Sequence, residues 1–326
     1  MRHFVLLLLP VIATHLFAID IWQRPEAIAH PDDNRPTPER IALGKLLFFD
    51  KRLSRNDDIS CATCHRPEQA WTDGKTVATG TAGRKGRRNT PTLVNAAHQQ
   101  SYFWDGRSES LEAQALEPII ATHEMDLPAE AMAAKLGAIE GYRTYFDSAY
   151  PKEGITPRTV AKAIAAFERT IISNDTPYDR WLRNHDDAEL SAEAIEGMNL
   201  FVQKAKCKSC HGGFNFTFGN FEDIGLGSPD HGVYELSKNP VWYNAFKTPT
   251  LREVEKTAPY FHDGSVPTLE ESVTICGNGG RQGYGGRSPF FKDRSITPEE
   301  AKKIVAFLKT LTSPTPPVEA PESFPQ

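Results

Sequence analysis

Apolar residues spaced three and four apart mark three stretches of the 326-residue chain as helices. In "TPRTVAKAIAAFERTII" (156–172), Val160, Ile164, Phe167 and Ile171 share one face, and Pro157 lies in the first turn, where its missing N–H is not needed. "SAEAIEGMNLFVQ" (191–203) has the same period. "TPEEAKKIVAFLKTL" (297–311) opens on Thr297, Pro298 and Glu300, the arrangement of a capping box. Long alternating runs are missing, so the chain reads as mainly α with long connecting loops.

The amino terminus departs from this pattern. Arg2 and His3 precede an apolar run of only ten residues, Phe4 to Ala13, with Ala18 as an acceptable cleavage residue. The run is short for a bilayer, so an uncleaved anchor is the weaker alternative. Residues 1–18 are expected to be a secretory signal peptide, and the mature chain to be periplasmic with no later membrane span.

Composition narrows the class. With 39% hydrophobic and 24% charged residues the chain is in the range of soluble globular proteins. A formal charge of −5 and a lone basic run, "GRKGRR" (83–88), exclude a nucleic-acid footprint. That run is expected to be a solvated loop or ionic support for a buried anion such as a haem propionate.

The chemistry enters with the cysteines. An exported chain is expected to form disulfides, but five cysteines, four of them in two C-x-x-C pairs, do not make a disulfide framework. In "CATCH", Cys61 and Cys64 are followed by His65. In "CKSCH", Cys207 and Cys210 are followed by His211. Zinc needs no histidine behind each pair. A redox dithiol belongs in a βαβ unit, which is not evident here. Attachment of haem c uses all three residues: two thiols bond the vinyl groups and the adjacent histidine reaches the iron. Two covalent haem c groups are therefore expected, with His65 and His211 as axial ligands. The motifs lie 146 residues apart, one domain's length of chain. The Asn-, Asp-, Thr- and Pro-containing "ISNDTPYDR" (172–180) marks the boundary. The expected organisation is a signal peptide (1–18), two cytochrome c-like haem domains (19–175 and 176–313) and a proline-rich disordered tail (314–326).

Further segments carry a resemblance. "LGKLLFFDKRLSRNDDISCATCH", "RRNTPTLVNAA", "FWDGRSESLEAQA", "HEM" and "TLREVEKTAPYFHDGS" together resemble the bacterial di-haem cytochrome c peroxidase family, in order and from about residue 40 to about 312. "CHGGFNFT" and "HDGSVPTLEE" look most similar to its MauG-like branch, which includes enzymes of the MbnH type that oxidise a tryptophan of a partner protein. The resemblance implies a first haem that meets hydrogen peroxide and a second that handles electrons. It implies that Trp104 lies between the haems, that Gln114 and Glu124 stand over the peroxidatic haem beside Pro118, and that Asn89 with the carbonyls of Thr257 and Pro259 binds one calcium ion. Three protein oxygens are few for calcium, so water must complete the shell. In chemical terms, splitting an O–O bond needs a base and then an acid, and Glu124 can be both in a pocket that raises its pKa. Taken without the resemblance, Glu124 reads as a surface carboxylate, Trp104 as a core aromatic, and Gln114 has no assigned role.

Two positions depart from the family. Members that need reductive activation carry a distal histidine where this chain has Thr81, so the first iron is expected to be open at rest. His98 and His123 are the remaining candidates to fill it. On the second haem the family places methionine, or tyrosine in MauG; this chain has Cys276, and none of its methionines (Met1, Met125, Met132, Met198) follows the second motif. Cys276 is expected to ligate that iron as a thiolate; the alternatives are an inert thiol, with His262 or water on the iron. Ala205 stands where MauG has a surface tryptophan, so any electron route to a partner must differ. Three functions follow as expectations. The first is a peroxidase that oxidises a partner protein, and the second a cytochrome c peroxidase fed by a small cytochrome or cupredoxin. The third is a di-haem carrier with no catalysis.

Overall fold

The computed structural model describes residues 22–326 apart from 24, 26, 185–186, 282, 285–287 and 315–316, so the expected signal peptide lies outside the described residues. Nine helices of eight or more residues appear among them: α1 Pro38–Phe49, α2 Leu111–Ile120, α3 Ala129–Gly137, α4 Glu140–Ala149, α5 Pro157–Glu168, α6 Pro177–Asn184, α7 Ala192–Asn199, α8 Leu269–Gly277 and α9 Pro298–Lys309. The three helices expected from periodicity are α5, α7 and α9. Thr156 caps α5 by accepting from Thr159 N, and Thr297 with Glu300 forms the capping box of α9. The only strands among the described residues are two of two residues each, β1 Phe221–Glu222 and β2 Phe246–Lys247, paired antiparallel.

Two large hydrophobic cores form among the described residues, one on either side of residues 172–177, with a small third cluster of Ala96, Tyr102, Leu111 and Ala165. The first joins Leu43, Leu47 and Phe48 of α1 to Tyr142, Phe146, Val160, Ile164 and Phe167. The second joins Tyr178, Phe201 and Phe216 to Ile304, Phe307 and Leu308. Each core contains one close helix crossing, and each crossing needs a glycine. A Cβ on Gly44 of α1 would fall 1.9 Å from the Ala163 carbonyl oxygen of α5, and one on Gly197 of α7 would fall 1.8 Å from the Lys303 carbonyl oxygen of α9.

The two halves repeat each other at a spacing of 158 residues. Thr90–Leu93 and Thr248–Leu251 both read Thr-Pro-Thr-Leu. Tyr102 N donates to Ser108 O at 2.9 Å and Tyr260 N to Val266 O at 2.7 Å. Their hydroxyls donate to the carbonyls of Ala96 and Val254. Gly106 and Gly264 both take positive φ, +70° and +59°. Ser110 and Thr268 then cap α2 and α8, which occupy equivalent places. The halves are joined by a crossed pair of backbone bonds. Asn89 N donates to His262 O, and Lys247 N donates to Trp104 O, both at 2.7 Å. These four residues are two repeat pairs, Asn89 with Lys247 and Trp104 with His262.

The carboxy-terminal stretch corrects one expectation. Residues 317–326 are ordered against the first half instead of being disordered. Arg52 donates to Pro325 O at 2.9 Å, Gly141 N donates to Gln326 O at 2.8 Å, and Val318 packs on the first core. The prolines that resemble a disordered composition also restrict the unfolded chain, which lowers the entropy lost on docking.

Candidate active site

One cavity of about 770 Å³ runs between the halves and is lined by both C-x-x-C-H motifs. Its walls are mainly apolar and include Phe103, Leu111, Phe246, Leu251, Val273 and Leu308.

The two motifs are built alike. His65 N and His211 N each donate to the carbonyl of the first cysteine of their motif at 2.8 Å, which turns the chain so that the ring follows the thiols. His65 Nδ1 lies 3.0 Å from Trp71 O, and His211 Nδ1 lies 3.0 Å from Phe216 O. A ring nitrogen that donates to a fixed carbonyl sets the tautomer and leaves Nε2 as the ligating atom. Trp71 and Phe216 both take positive φ to present those carbonyls. Burial holds both imidazoles below their ordinary pKa, His211 at about 4, so each ring is neutral and able to bind a metal.

All five cysteines are unpaired. Burial pushes up the thiols of Cys64 and Cys210 to about 11 and that of Cys207 to about 12, and raises Cys61 as well. Among the described residues no cluster of three or more His, Cys, Asp or Glu is arranged for a metal ion, so the pairs do not converge on a four-thiolate zinc site. The residues fit haem well. Cys64 and His65 line the cavity from the first half, with Cys61 one turn behind, and Cys207, Cys210 and His211 line it from the second. Cationic Lys247, Arg87 and Arg88 at its wall suit carboxylate side groups. Lys247 is held at about 8 by burial, and its ammonium donates to Gln99 Oε1 at 2.6 Å. The basic run is thus divided. Arg84 pairs with Asp126, whereas Arg88 reaches the cavity wall between Asp105 (2.5 Å) and Asp230 (2.7 Å).

Helix α2 delivers the first half's polar groups. Leu111, Gln114, Glu117, Pro118 and Ala121 all face the cavity at helical spacing. Gln114 Oε1 is buried there with no hydrogen-bond partner. Glu124 follows the end of α2 and also lines the cavity; burial raises its pKa above the ordinary carboxylate range. Its backbone is clamped. Thr81 N donates to Glu124 O at 2.8 Å, and a Cβ on Gly80 would meet the carbonyl oxygens of His123 and Glu124 at 2.2 and 2.6 Å. Thr81 itself is 0% exposed and turned away, its hydroxyl donating to Asp58 Oδ1 at 2.7 Å. His98 does not line the cavity and packs edge-on against Phe214. His123 does line it, half exposed, with Nε2 3.5 Å from Glu124 Oε1.

In the second half α8 occupies the place of α2. At the 158-residue spacing Leu269 answers Leu111, Ser272 answers Gln114, and Cys276 answers Pro118; all six line the cavity. One half therefore offers a ring with no donor atom where the other offers sulfur. Burial lifts the Cys276 thiol to about 12, with the nearby Cys207 and Cys210 thiols adding to it.

Between the halves, Trp104 Nε1 donates to Asn89 O at 2.9 Å, and its ring stands 6.4 Å from that of His262. His262 stacks on Phe246 at 3.6 Å, and its Nε2 is buried without a partner. Asn89, Thr257 and Pro259 line the cavity as well. Asn89 Nδ2 donates to Lys75 O at 2.8 Å, which leaves Oδ1 as the acceptor end. The 158-residue repeat was missed by sequence reasoning, although the doubled Thr-Pro-Thr-Leu carries it.

Comparison with known proteins gives a consistent result. A family model described as di-haem cytochrome c peroxidase matches residues 38–187, and one described as RoxA-like, cytochrome c-like matches residues 245–274. The methylamine utilization protein MauG of Methylorubrum extorquens is 39% identical over 305 residues, covering 92% of this chain and 86% of that protein. The cytochrome c551 peroxidase of Nitrosomonas europaea is 35% identical over 294 residues, covering 87% and 84%. A MauG-like protein associated with microbial copper homeostasis superposes with a TM-score of 0.82 at 33% identity, covering 90% of this chain and 95% of that one.

Proposed function

Since the chain belongs to the di-haem cytochrome c peroxidase family, whose members are haem oxidoreductases acting on peroxide, we propose that it is a periplasmic enzyme that reduces hydrogen peroxide with electrons drawn from a side chain of a partner protein, a tryptophan being the candidate. Cys61 and Cys64 would hold one haem c and Cys207 and Cys210 the other, with His65 and His211 as the side chains that would bind their irons. The observation that carries this reading is the contrast between Pro118 and Cys276 at equivalent places of one cavity. In the first half Pro118 has no donor atom to offer a bound iron, which would leave room for peroxide, whereas in the second Cys276 would offer sulfur to it.

Each haem, when bound, supplies an iron that exchanges single electrons. The protein supplies the protons and the geometry. Glu124, as a carboxylate, takes the proton from one peroxide oxygen and returns it to the other as the O–O bond breaks, so that water leaves. Its raised pKa brings it closer to neutrality, which suits both steps. Gln114 Oε1, buried and without a partner, accepts a hydrogen bond from the peroxide O–H or its water product. Trp104 and His262 bridge the halves, and Trp104 conducts electrons between the two sites. Asn89, through Oδ1, and the carbonyls of Thr257 and Pro259 would be the protein ligands of one calcium ion, which would need water as well.

A Cys276 thiolate bound to the second haem's iron would favour its oxidised state and make that site a weak acceptor for ordinary cytochromes. This sets the reading apart from a cytochrome c peroxidase fed by a small cytochrome or cupredoxin. A pure carrier has no use for a carboxylic acid in the cavity. The test is to add hydrogen peroxide to the fully oxidised protein. An immediate change in the haem spectrum, without prior reduction, is expected; no change would reject the reading.

A further inference from the structure

If the chain oxidises a partner protein, electrons must cross from its surface to Trp104. Of the five tryptophans, Trp242 is the exposed one, at 37%. Trp71 is buried, Trp22 packs on Phe216, and Trp181 packs on Tyr178. Val241 directly precedes Trp242, 76% exposed, and Leu236, six residues earlier, is 54% exposed. The residue that follows Trp242 belongs to an aromatic cluster. Tyr243 stacks on His231 at 4.2 Å and packs edge-on against Tyr234 at 5.1 Å.

An aromatic contact leads inward from Trp242. Its ring lies 6.3 Å, edge to face, from that of Phe221 in β1. Phe221 presses on Gly106 so closely that a Cβ there would fall 2.3 Å from Phe221 Cζ. Gly106 is two residues from Trp104. Phe221 also pairs in register with Lys247, whose N–H is bonded to Trp104 O. Two short routes, one through the Gly106 backbone and one across the strand pair, thus join the Phe221 ring to Trp104.

We infer that Trp242 is the relay through which a partner protein's oxidisable side chain delivers electrons to Trp104, with Leu236 and Val241 as the apolar surface on which that partner settles. The inference rests on the proposed function and gives it a surface address. The electron balance is simple. Hydrogen peroxide takes up two electrons and two protons and leaves as two waters. Trp242 gives one electron inward at a time, across Phe221, and is restored each time by one electron from the partner's side chain. After two such transfers the partner has lost two electrons and two protons. Phe221 is a contact and is not itself oxidised. Trp242 lies elsewhere in the chain from Ala205, where the family's MauG carries its surface tryptophan.

Two measurements test this on the haem-loaded full-length protein. In the first, peroxide is added without any partner, and oxidised side chains are mapped by mass spectrometry of the digested protein. Stranded oxidising equivalents should be trapped on Trp242 well ahead of Trp22 and Trp181. Adducts spread evenly, or absent from Trp242, would overturn the relay. In the second, N-acetyl-tryptophanamide, which carries the same oxidisable indole as the candidate partner side chain, serves as the probe electron donor. Trp242→Phe keeps the ring but not the oxidisable indole, and should slow electron delivery roughly ten-fold. Trp242→Tyr should restore most of it, because tyrosine is oxidisable. Equal loss in both variants would mean a structural role and would reject the inference. If the unmodified protein shows no reaction with peroxide at all, the proposed function falls and the relay falls with it.

Discussion

The rings of Trp104 and His262 meet edge to face at 6.4 Å, and the two residues hold the same place in the two halves of the chain. Each presents its carbonyl to the partner position of the other half, Trp104 to Lys247 and His262 to Asn89. A pair of equivalent residues thus forms the contact between the two sites, and the differences around it assign their roles.

Glu124→Gln keeps the shape of the side chain but removes its proton. The reaction with peroxide should slow about 10²- to 10⁴-fold while both haems stay attached. If Glu124 is the proposed base, its carboxylate form does the work, and its pKa is raised by burial. The rate should therefore fall as pH drops through that raised value, and this limb should be missing in the variant. Stopped-flow absorbance against pH measures both.

The contrast between Pro118 and Cys276 can be tested in both directions. Cys276→Ala should change only the low-spin haem signal in electron paramagnetic resonance and raise that haem's potential, because a thiolate stabilises the oxidised iron. Pro118→Cys places sulfur at the equivalent position of the first half. It should convert the high-spin signal to low-spin and block the peroxide reaction. An unaltered spectrum in Cys276→Ala would make that thiol structural.

Gly80 is where the loop after the first motif touches the Glu124 backbone. A methyl group has no room there, so Gly80→Ala should displace Glu124 and slow the peroxide step roughly 10- to 100-fold. The second haem's spectrum should not change. A rate equal to that of the unmodified protein would show that the clamp does not position the carboxylate.

Glu168 at the end of α5 is buried, and burial lifts its pKa from 4.5 to about 8. The folded state then holds a proton that the unfolded chain has lost between those two values. Linkage makes that contribution to stability full below about pH 4.5 and lost as pH rises toward 8. Urea denaturation at a series of pH values should show the decline, and Glu168→Gln should flatten it.

Some of this was legible in the sequence for definite reasons. Membership of a di-haem family was, because Cys61, Cys64 and His65 form a motif of chain neighbours that needs no tertiary information to be seen. Helices α5 and α9 were, because their caps and faces are local. The 158-residue repeat was not. The interval from motif to Thr-Pro-Thr-Leu is 29 residues in the first half and 41 in the second, which hides the alignment when counting starts from the cysteines. Once aligned, Cys276 is the counterpart of Pro118, a relation that neither residue reveals by itself. The aversion of Thr81 from the cavity was also hidden, because it depends on Asp58, a surface carboxylate by its local sequence.

The crossed bonds of Asn89 and Lys247 have a kinetic consequence. Two halves joined by a flexible hinge would exchange electrons only when thermal motion brought them close, on the microsecond-to-millisecond scale of domain movement. Here the contact is already made in the folded structure, by the backbone carbonyls of Trp104 and His262. Transfer between the two centres should therefore be insensitive to solvent friction, with equal rates in buffer and in concentrated sucrose. On that expectation the molecule is a solid junction, and what would limit the current is the chemistry at its ends.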